Sequence, residues 1–326
     1  MRRLWVLAVF ALGLVVASAV GAAAAEPIRI GYPIWIGFGP IYLAHSKGFF
    51  KAQGVDVDLQ VIDDTKVGMA ALAAKRIEAY GATPNTVLLY AKADNPFTMV
   101  MTLDDSKGGD GVVANKDIKS IAELKGKKVA FLEGSIAQFY LAYLLKREGL
   151  TEKDVVPVNM GSTGDAGAAF VANRVDAAVV WEPWLSKGKS APHGHLLIDS
   201  SKTPGLIIDT LAFRQDVVKS RPDDVKKVVR AIGQAVDYWK KNPKESVEIM
   251  TKGLGGWLKE PKDFEEALSG AVLYGIEENR TFMGTKAKPG PMFQTVQGAI
   301  DFWRQTGKLV WPDVKAADVV DPSFLE

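Results

Sequence analysis

The sequence has no cysteine, only three histidines and, past residue 25, no long apolar run. Without cysteine there is no disulfide framework, so an exported chain of this length must be held by its core. The histidines are His45, His193 and His195. His193-Gly194-His195 would supply half a metal site at most, with no cysteine or third histidine to complete it. Ser135 lacks the Gly-x-Ser-x-Gly setting of an exposed nucleophile. Gly37-Phe38-Gly39 lacks the third glycine of a dinucleotide loop. Asn279-Arg280-Thr281 matches a glycosylation acceptor, a short pattern that often arises by chance. No catalytic residue, metal or cofactor is therefore expected. A charge excess is missing too. Setting aside Arg2 and Arg3 brings the 40 basic residues level with the 38 acidic ones, which argues against nucleic acid or an anionic membrane surface as a partner.

The first 25 residues carry the one long apolar stretch. Arg2-Arg3, the uncharged run Leu4 to Val20 and Ala23-Ala24-Ala25 before Glu26 have the three parts of a signal peptide. The run is short for a membrane span of about 20 residues and no stop-transfer pattern follows it. Cleavage near Ala25/Glu26 and a periplasmic protein are expected.

The remaining chain alternates strands and helices as far as residue 213. The spacing predicts strands at 28–32, 55–61, 77–80, 97–103, 128–132, 155–158, 177–180 and 196–199. Helices are expected from Pro40, at 66–75, from Thr83-Pro84 (Thr83 as N-cap) and at 118–124, 136–148 and 163–173. Asp104 to Gly111 is polar and Gly-rich, suited to a bend between lobes, and 206–213 reads as the return. From Asp216 the pattern becomes helical, with a 3.6-residue period over 222–241 and further helices at 244–250, 263–275 and 292–306.

An internal echo organises this first part. Ala70-Ala71-Leu72-Ala73-Ala74-Lys75-Arg76-Ile77-Glu78-Ala79 resembles the segment Ala168 to Ala177, 98 residues on, and Tyr42-Leu43-Ala44 resembles Tyr140-Leu141-Ala142 at the same offset. Two similar α/β lobes are expected. The offset aligns Gly37 with Ser135 at two helix N-termini. It also aligns Thr83-Pro84-Asn85 with Trp181-Glu182-Pro183 at two strand ends, where open α/β sheets bind ligands. Pro183 ends its strand because it has no N–H to give a ladder. Asp104 and Asp209 interrupt apolar runs and are expected to face the cleft. With Asp105, Asp110 and Glu182 they would favour an amine or a heterocyclic N–H over an anion. Lys107 is the one obvious cation nearby.

Gly31-Tyr32, Trp35, Pro40-Ile41-Tyr42-Leu43-Ala44, Gly48-Phe49-Phe50, Gly54-Val55-Asp56-Val57, Asp105-Ser106-Lys107-Gly108-Gly109-Asp110, Leu124-Lys125-Gly126-Lys127-Lys128-Val129 and Val175 to Pro183 stand in an informative order. In that order they resemble the substrate-binding proteins of ABC importers of the nitrate/sulfonate/taurine type, a group that includes thiamine-pyrimidine binders. The resemblance implies the α/β, two-lobe periplasmic-binding-protein fold of type II, with two hinge crossings, placed at 105–111 and 208–213. Beyond the signal peptide at 1–25, one lobe would hold 26–107 and 212–326 and the other 108–211. It implies a small-molecule ligand trapped by lobe closure, delivery to permease subunits in the inner membrane, and a monomer. By position in these motifs, Trp35, Thr83, Asn85, Ser135, Trp181 and Glu182 would contact the ligand, joined by Gly37, Asp104 and Asp209 from the reading above. A taurine- or sulfonate-like zwitterion or an amine is the favoured ligand, with a pyrimidine as the alternative. Pyrimidine-forming enzymes resemble the same binders but rely on a Cys-rich motif, from which this chain departs.

Overall fold

A computed structural model describes residues 26–255 and 260–326; the expected signal segment lies outside them. Eleven strands are seen among the described residues: β1 (Ile28–Tyr32), β2 (Val57–Val61), β3 (Ala79–Ala82), β4 (Phe97–Ser106), β5 (Asp110–Asn115), β6 (Lys128–Leu132), β7 (Val156–Met160), β8 (Ala177–Trp181), β9 (Gly194–Asp199), β10 (Ile208–Arg214) and β11 (Ala271–Leu273). They form two sheets, ordered β11-β4-β10-β3-β1-β2 and β7-β6-β8-β5-β9.

In each sheet three parallel strands are followed by one antiparallel strand that arrives from elsewhere in the chain. β10 fills this place beside β3, and β5 fills it beside β8. This shared order, second-first-third-incoming-fourth, makes the molecule two-lobed, with the periplasmic-binding-protein arrangement of type II.

The 98-residue echo is visible in the backbone. Helix Thr65–Ala73 returns as Thr163–Val171. Among the described residues the two non-glycine residues with positive φ, Lys75 and Asn173, are the same turn after those helices. Next in line, Glu78 accepts a hydrogen bond from the Arg29 backbone N–H at 2.9 Å. Its counterpart Asp176 accepts one from the Lys128 backbone N–H at 2.8 Å. One carboxylate thus ties the third strand of each lobe to the first.

The chain leaves the six-stranded sheet after Ser106 and enters the other at Asp110; it leaves that sheet after Asp199 and returns at Ile208. The first crossing is therefore the glycine-bearing link 107–109, where Gly108 has φ of +116°. The return runs through 200–207, ahead of the expected 208–213. Those later residues form β10 because they are buried throughout and pair on both sides. Asp104 to Ser106 likewise remain strand, paired with β10 and the short edge strand β11. That edge strand corrects the expected helix 263–275, which ends at Leu268 before Ser269-Gly270. Residues 118–124 hold only a short 3₁₀ turn, Ile121–Leu124.

Helix Pro222–Lys241 buries Val225, Val228, Val229, Ile232 and Val236 on one stripe, as its period predicts. Asn279 is wholly buried. Its side chain accepts from the Thr102 N–H at 2.7 Å and donates to the Thr102 carbonyl at 2.8 Å, acting as a strand partner. A residue so enclosed is no glycosylation acceptor. No helix among the described residues is long and apolar enough to cross a membrane.

Candidate functional site

Strand ends and helix starts from both lobes converge on one cavity. Its walls are Pro33, Trp35, Phe38, Thr65, Gly81, Ala82, Thr83 and Thr86 from the first part of the chain, Asp110, Ser135, Ile136 and Trp181 from the middle, and Ile207 and Asp209 at the return. The space is about 410 Å³ with its open mouth included, of which only about 30 Å³ admits the centre of a water-sized sphere, so the walls stand close together.

Trp181 is the last residue of β8 and lies beside Asp110 across the ladder. It is 5% exposed, and its indole N–H donates to the Ile34 carbonyl at 3.3 Å, a contact between lobes. Lys66 and Glu133 meet at 2.6 Å across the same divide. Helix Pro84–Tyr90 begins after Thr83. The Thr83 hydroxyl bonds that of Thr86 at 2.9 Å rather than capping a backbone N–H. Ser135 caps helix Ile136–Arg147 by accepting from the Ala137 N–H at 3.1 Å while donating to the Leu132 carbonyl at 2.7 Å.

Three carboxyls gather at the inner end. Asp104 and Asp209 are cross-strand partners on β4 and β10, which puts their side chains on one face. Asp110 opens β5 in the other sheet. Their exposures are 0%, 8% and 7%. Trp35 donates its indole N–H to Asp104 Oδ2 at 3.2 Å. Asp104 Oδ1 is buried without a donor. The Asp209 carboxyl is within hydrogen-bonding reach of Asp104, but carboxylates only accept, so that bond needs a proton. Burial, and then the charge of Asp209, pushes Asp104 well above the ordinary carboxylate range. Burial, followed by the charge of Asp110, does the same to Asp209. Asp110 is pushed up to about 7, chiefly by burial and against a hydrogen bond from Ser106. No lysine or arginine is among the residues lining the cavity. Lys107 lies 3.6 Å from Asp105, outside the cavity.

Of the residues expected from sequence, Trp35, Thr83, Ser135, Trp181 and Asp209 line the cavity, and Asp104 stands behind it, bonded to Trp35. Gly37 is not in the wall. A Cβ there would meet Asp104 Oδ2 at 1.6 Å, so Gly37 makes room for that carboxyl. Asn85 is a correction. Thr83 and Thr86 share one helix face and Asn85 occupies another, lining a second cavity with Phe139, Tyr143 and Phe302. Its carbonyl accepts from the Trp303 indole at 2.9 Å. Glu182 is also corrected. It follows the end of β8, and its carboxylate accepts from the Ser186 N–H at 3.1 Å and hydroxyl at 2.8 Å, bracing helix Trp184–Ser190. Glu182→Ala should therefore lower the melting temperature by a few degrees, as loss of a helix cap does, and leave ligand affinity within about twofold. Calorimetry on the variant checks both.

Trp184 is packing: it lies against Gly167, where any Cβ would clash with the indole. Asp110, one of the acids expected to favour an amine, joins the wall, and Thr65, Thr86, Phe38, Pro33, Gly81, Ala82, Ile136 and Ile207 complete it without having been singled out as ligand residues. Asp110 was detectable as an acid at the crossing, and Thr86 as the residue three on from Thr83. Nothing in the sequence marks the others.

The two-lobed fold of type II and a cleft walled by both lobes define the class of the molecule. Residues 35–246 match the family described as NMT1/THI5 like, and the chain belongs to that family. A Brucella abortus (strain 2308) protein named as a binding protein is 29% identical over 233 residues, which is 70% of this chain and 72% of that one. A 4-amino-5-hydroxymethyl-2-methylpyrimidine phosphate synthase of Saccharomyces cerevisiae is 27% identical over 263 residues, 72% of this chain and 69% of that one. Among solved structures, the alkanesulfonate-binding protein of Xanthomonas axonopodis pv. citri bound to MOPS superimposes with a TM-score of 0.70 at 21% identity, covering 92% of this chain and 99% of that one.

Proposed function

We propose that this chain is an extracytoplasmic solute-binding protein that captures a small polar organic molecule by lobe closure. In this reading it is exported, works as a monomer in the periplasm and hands its ligand to the permease of an ABC importer. The observation that carries the reading is a cavity walled by both lobes at their strand ends, which a hinge at 107–109 and 200–207 can open and close. Binding and release, rather than turnover, is the better reading. None of the three histidines lines the cavity; His193 and His195 bond the backbone carbonyls of Phe170 and Ile118.

The lining selects the ligand by charge. Asp110 and Asp209 with no facing lysine or arginine favour a primary amine or the amino end of a zwitterion, and disfavour nitrate or a simple sulfonate. Trp35, Phe38 and Trp181 provide aromatic surface for a cation or a ring. An aminopyrimidine is the second reading, supported by the yeast relative and by those rings.

A thermal-shift screen of the processed chain across amines, aminosulfonates, aminopyrimidines and nitrate tests this. A ligand at a hundred times its Kd stabilises by about 2.7 kcal/mol, so a true ligand gives an unmistakable shift. The expected result is a shift with an amine-bearing compound and none with nitrate; the reverse pattern would overturn the charge selection.

A further inference from the structure

The three carboxyls come from both sides of the hinge. Asp104 and Asp209 belong to the six-stranded sheet and Asp110 to the five-stranded one. In the closed arrangement all three are withdrawn from water, with no lysine or arginine among the residues of the cavity wall. We propose that these aspartates gate closure: the lobes shut only when a cationic nitrogen on the ligand, or protons in its absence, neutralises Asp104, Asp110 and Asp209. The proposal rests on the solute-binding reading for the hinge motion, and it adds a requirement on ligand charge and a pH-dependent resting state.

The physical basis is desolvation. Enclosing ionised carboxyls in a dry site costs several kcal/mol per group unless an opposite charge or a proton compensates. The surroundings do little to compensate. β4 contributes Asp105 and the crossing contributes Lys107, which pair with each other. The end of β8 contributes Glu182, which adds negative charge near Asp110. From helix Ile136–Arg147 comes the hydroxyl of Tyr140, within electrostatic reach of Asp110 and of Asp199 on β9. Tyr274, after β11, faces Asp104 and Asp105. Among the described residues the one donor fixed on the Asp104 carboxyl is the neutral Trp35 indole, which leaves Oδ1, behind the cavity wall, open to a proton.

The sign follows from linkage. In an open cleft Asp110 and Asp209, which line it, are solvated and titrate near the ordinary value of about 3.9. In the closed cleft Asp110 holds its proton up to about 7, and Asp104 and Asp209 are raised as well. The closed form therefore binds more protons. Ligand-free closure is favoured in acid and lost as pH rises from about 4 through about 7.

Small-angle scattering of the processed chain, stripped of ligand by unfolding and refolding, tests the gate at about pH 5 and about pH 8. Wild type should give a smaller radius of gyration at the lower pH. Asp110→Asn and Asp209→Asn, each nearly isosteric, should each narrow the difference between the two pH values, and the double variant should narrow it further. A wild-type radius equal at the two pH values overturns the gate, as does a full wild-type response retained by both variants. If the thermal-shift screen finds a ligand while the radius ignores pH, the solute-binding reading stands and the gate alone fails.

Discussion

Replacing Trp181 by alanine should weaken ligand binding by roughly 30- to 150-fold, the equivalent of about 2–3 kcal/mol. The melting temperature of the ligand-free protein should change by only a few degrees. Trp181 ends β8 at the cavity, and its one hydrogen bond, to the Ile34 carbonyl, reaches across to the other lobe. Once the lobes part, the indole faces the open cleft. Its removal then costs little of the packing that a core tryptophan would cost, which is about 3–5 kcal/mol on replacement by alanine. Titration calorimetry with the screened ligand, beside thermal melts without it, separates the two roles. Unchanged affinity with a large loss of stability would make Trp181 a core residue.

Gly37→Ala should be the most damaging single-methyl change at the site. The added carbon would lie 1.6 Å from Asp104 Oδ2, 2.4 Å from its Cγ and 2.7 Å from the Trp35 indole nitrogen. Asp104 has no exposed surface into which to withdraw, so the Trp35–Asp104 hydrogen bond must break or the loop must shift. Overpacking of this kind costs about 1–3 kcal/mol, and ligand affinity should fall at least about tenfold because two site residues move together. Asp104→Ala removes the obstructing atoms, so the double variant should be more stable than Gly37→Ala alone. Thermal melts of the four proteins in the cycle check this; equal stability of Gly37→Ala and wild type would show that the loop yields freely.

Much of the fold was legible because local chemistry and tertiary packing agree. The period of Pro222–Lys241, with Pro222 in its first turn and one buried valine stripe, gave its limits directly. β6 stood out as the apolar run Val129 to Leu132 between Lys128 and Glu133. The echo worked because one design is used twice, down to the turn at Lys75 and Asn173. It also drew Thr83 and Trp181 to the same cavity. Legibility failed where tertiary pairing outweighed local signals. Asp104 and Asp105 read as the start of a polar bend, yet β10 and β11 hold them in strand. Asn85 and Glu182 were drawn into the site by adjacency in sequence. Helix phase turns Asn85 to another cavity, and Ser186 takes up the Glu182 carboxylate. Ile207 and Thr65 reach the cavity only through the crossing of the chain and the docking of a helix, which no local pattern encodes.

The central claim is that this cleft holds a small molecule through a cationic nitrogen opposite Asp110 and Asp209. The most direct measurement is native mass spectrometry of the protein isolated from the cells that naturally make it, without unfolding, followed by identification of whatever it releases. The account predicts a stoichiometric small molecule with a protonatable amine or amino-heterocycle, lost from Asp209→Asn. Recovery of nitrate or of a sulfonate lacking any basic nitrogen, bound one to one, would contradict it.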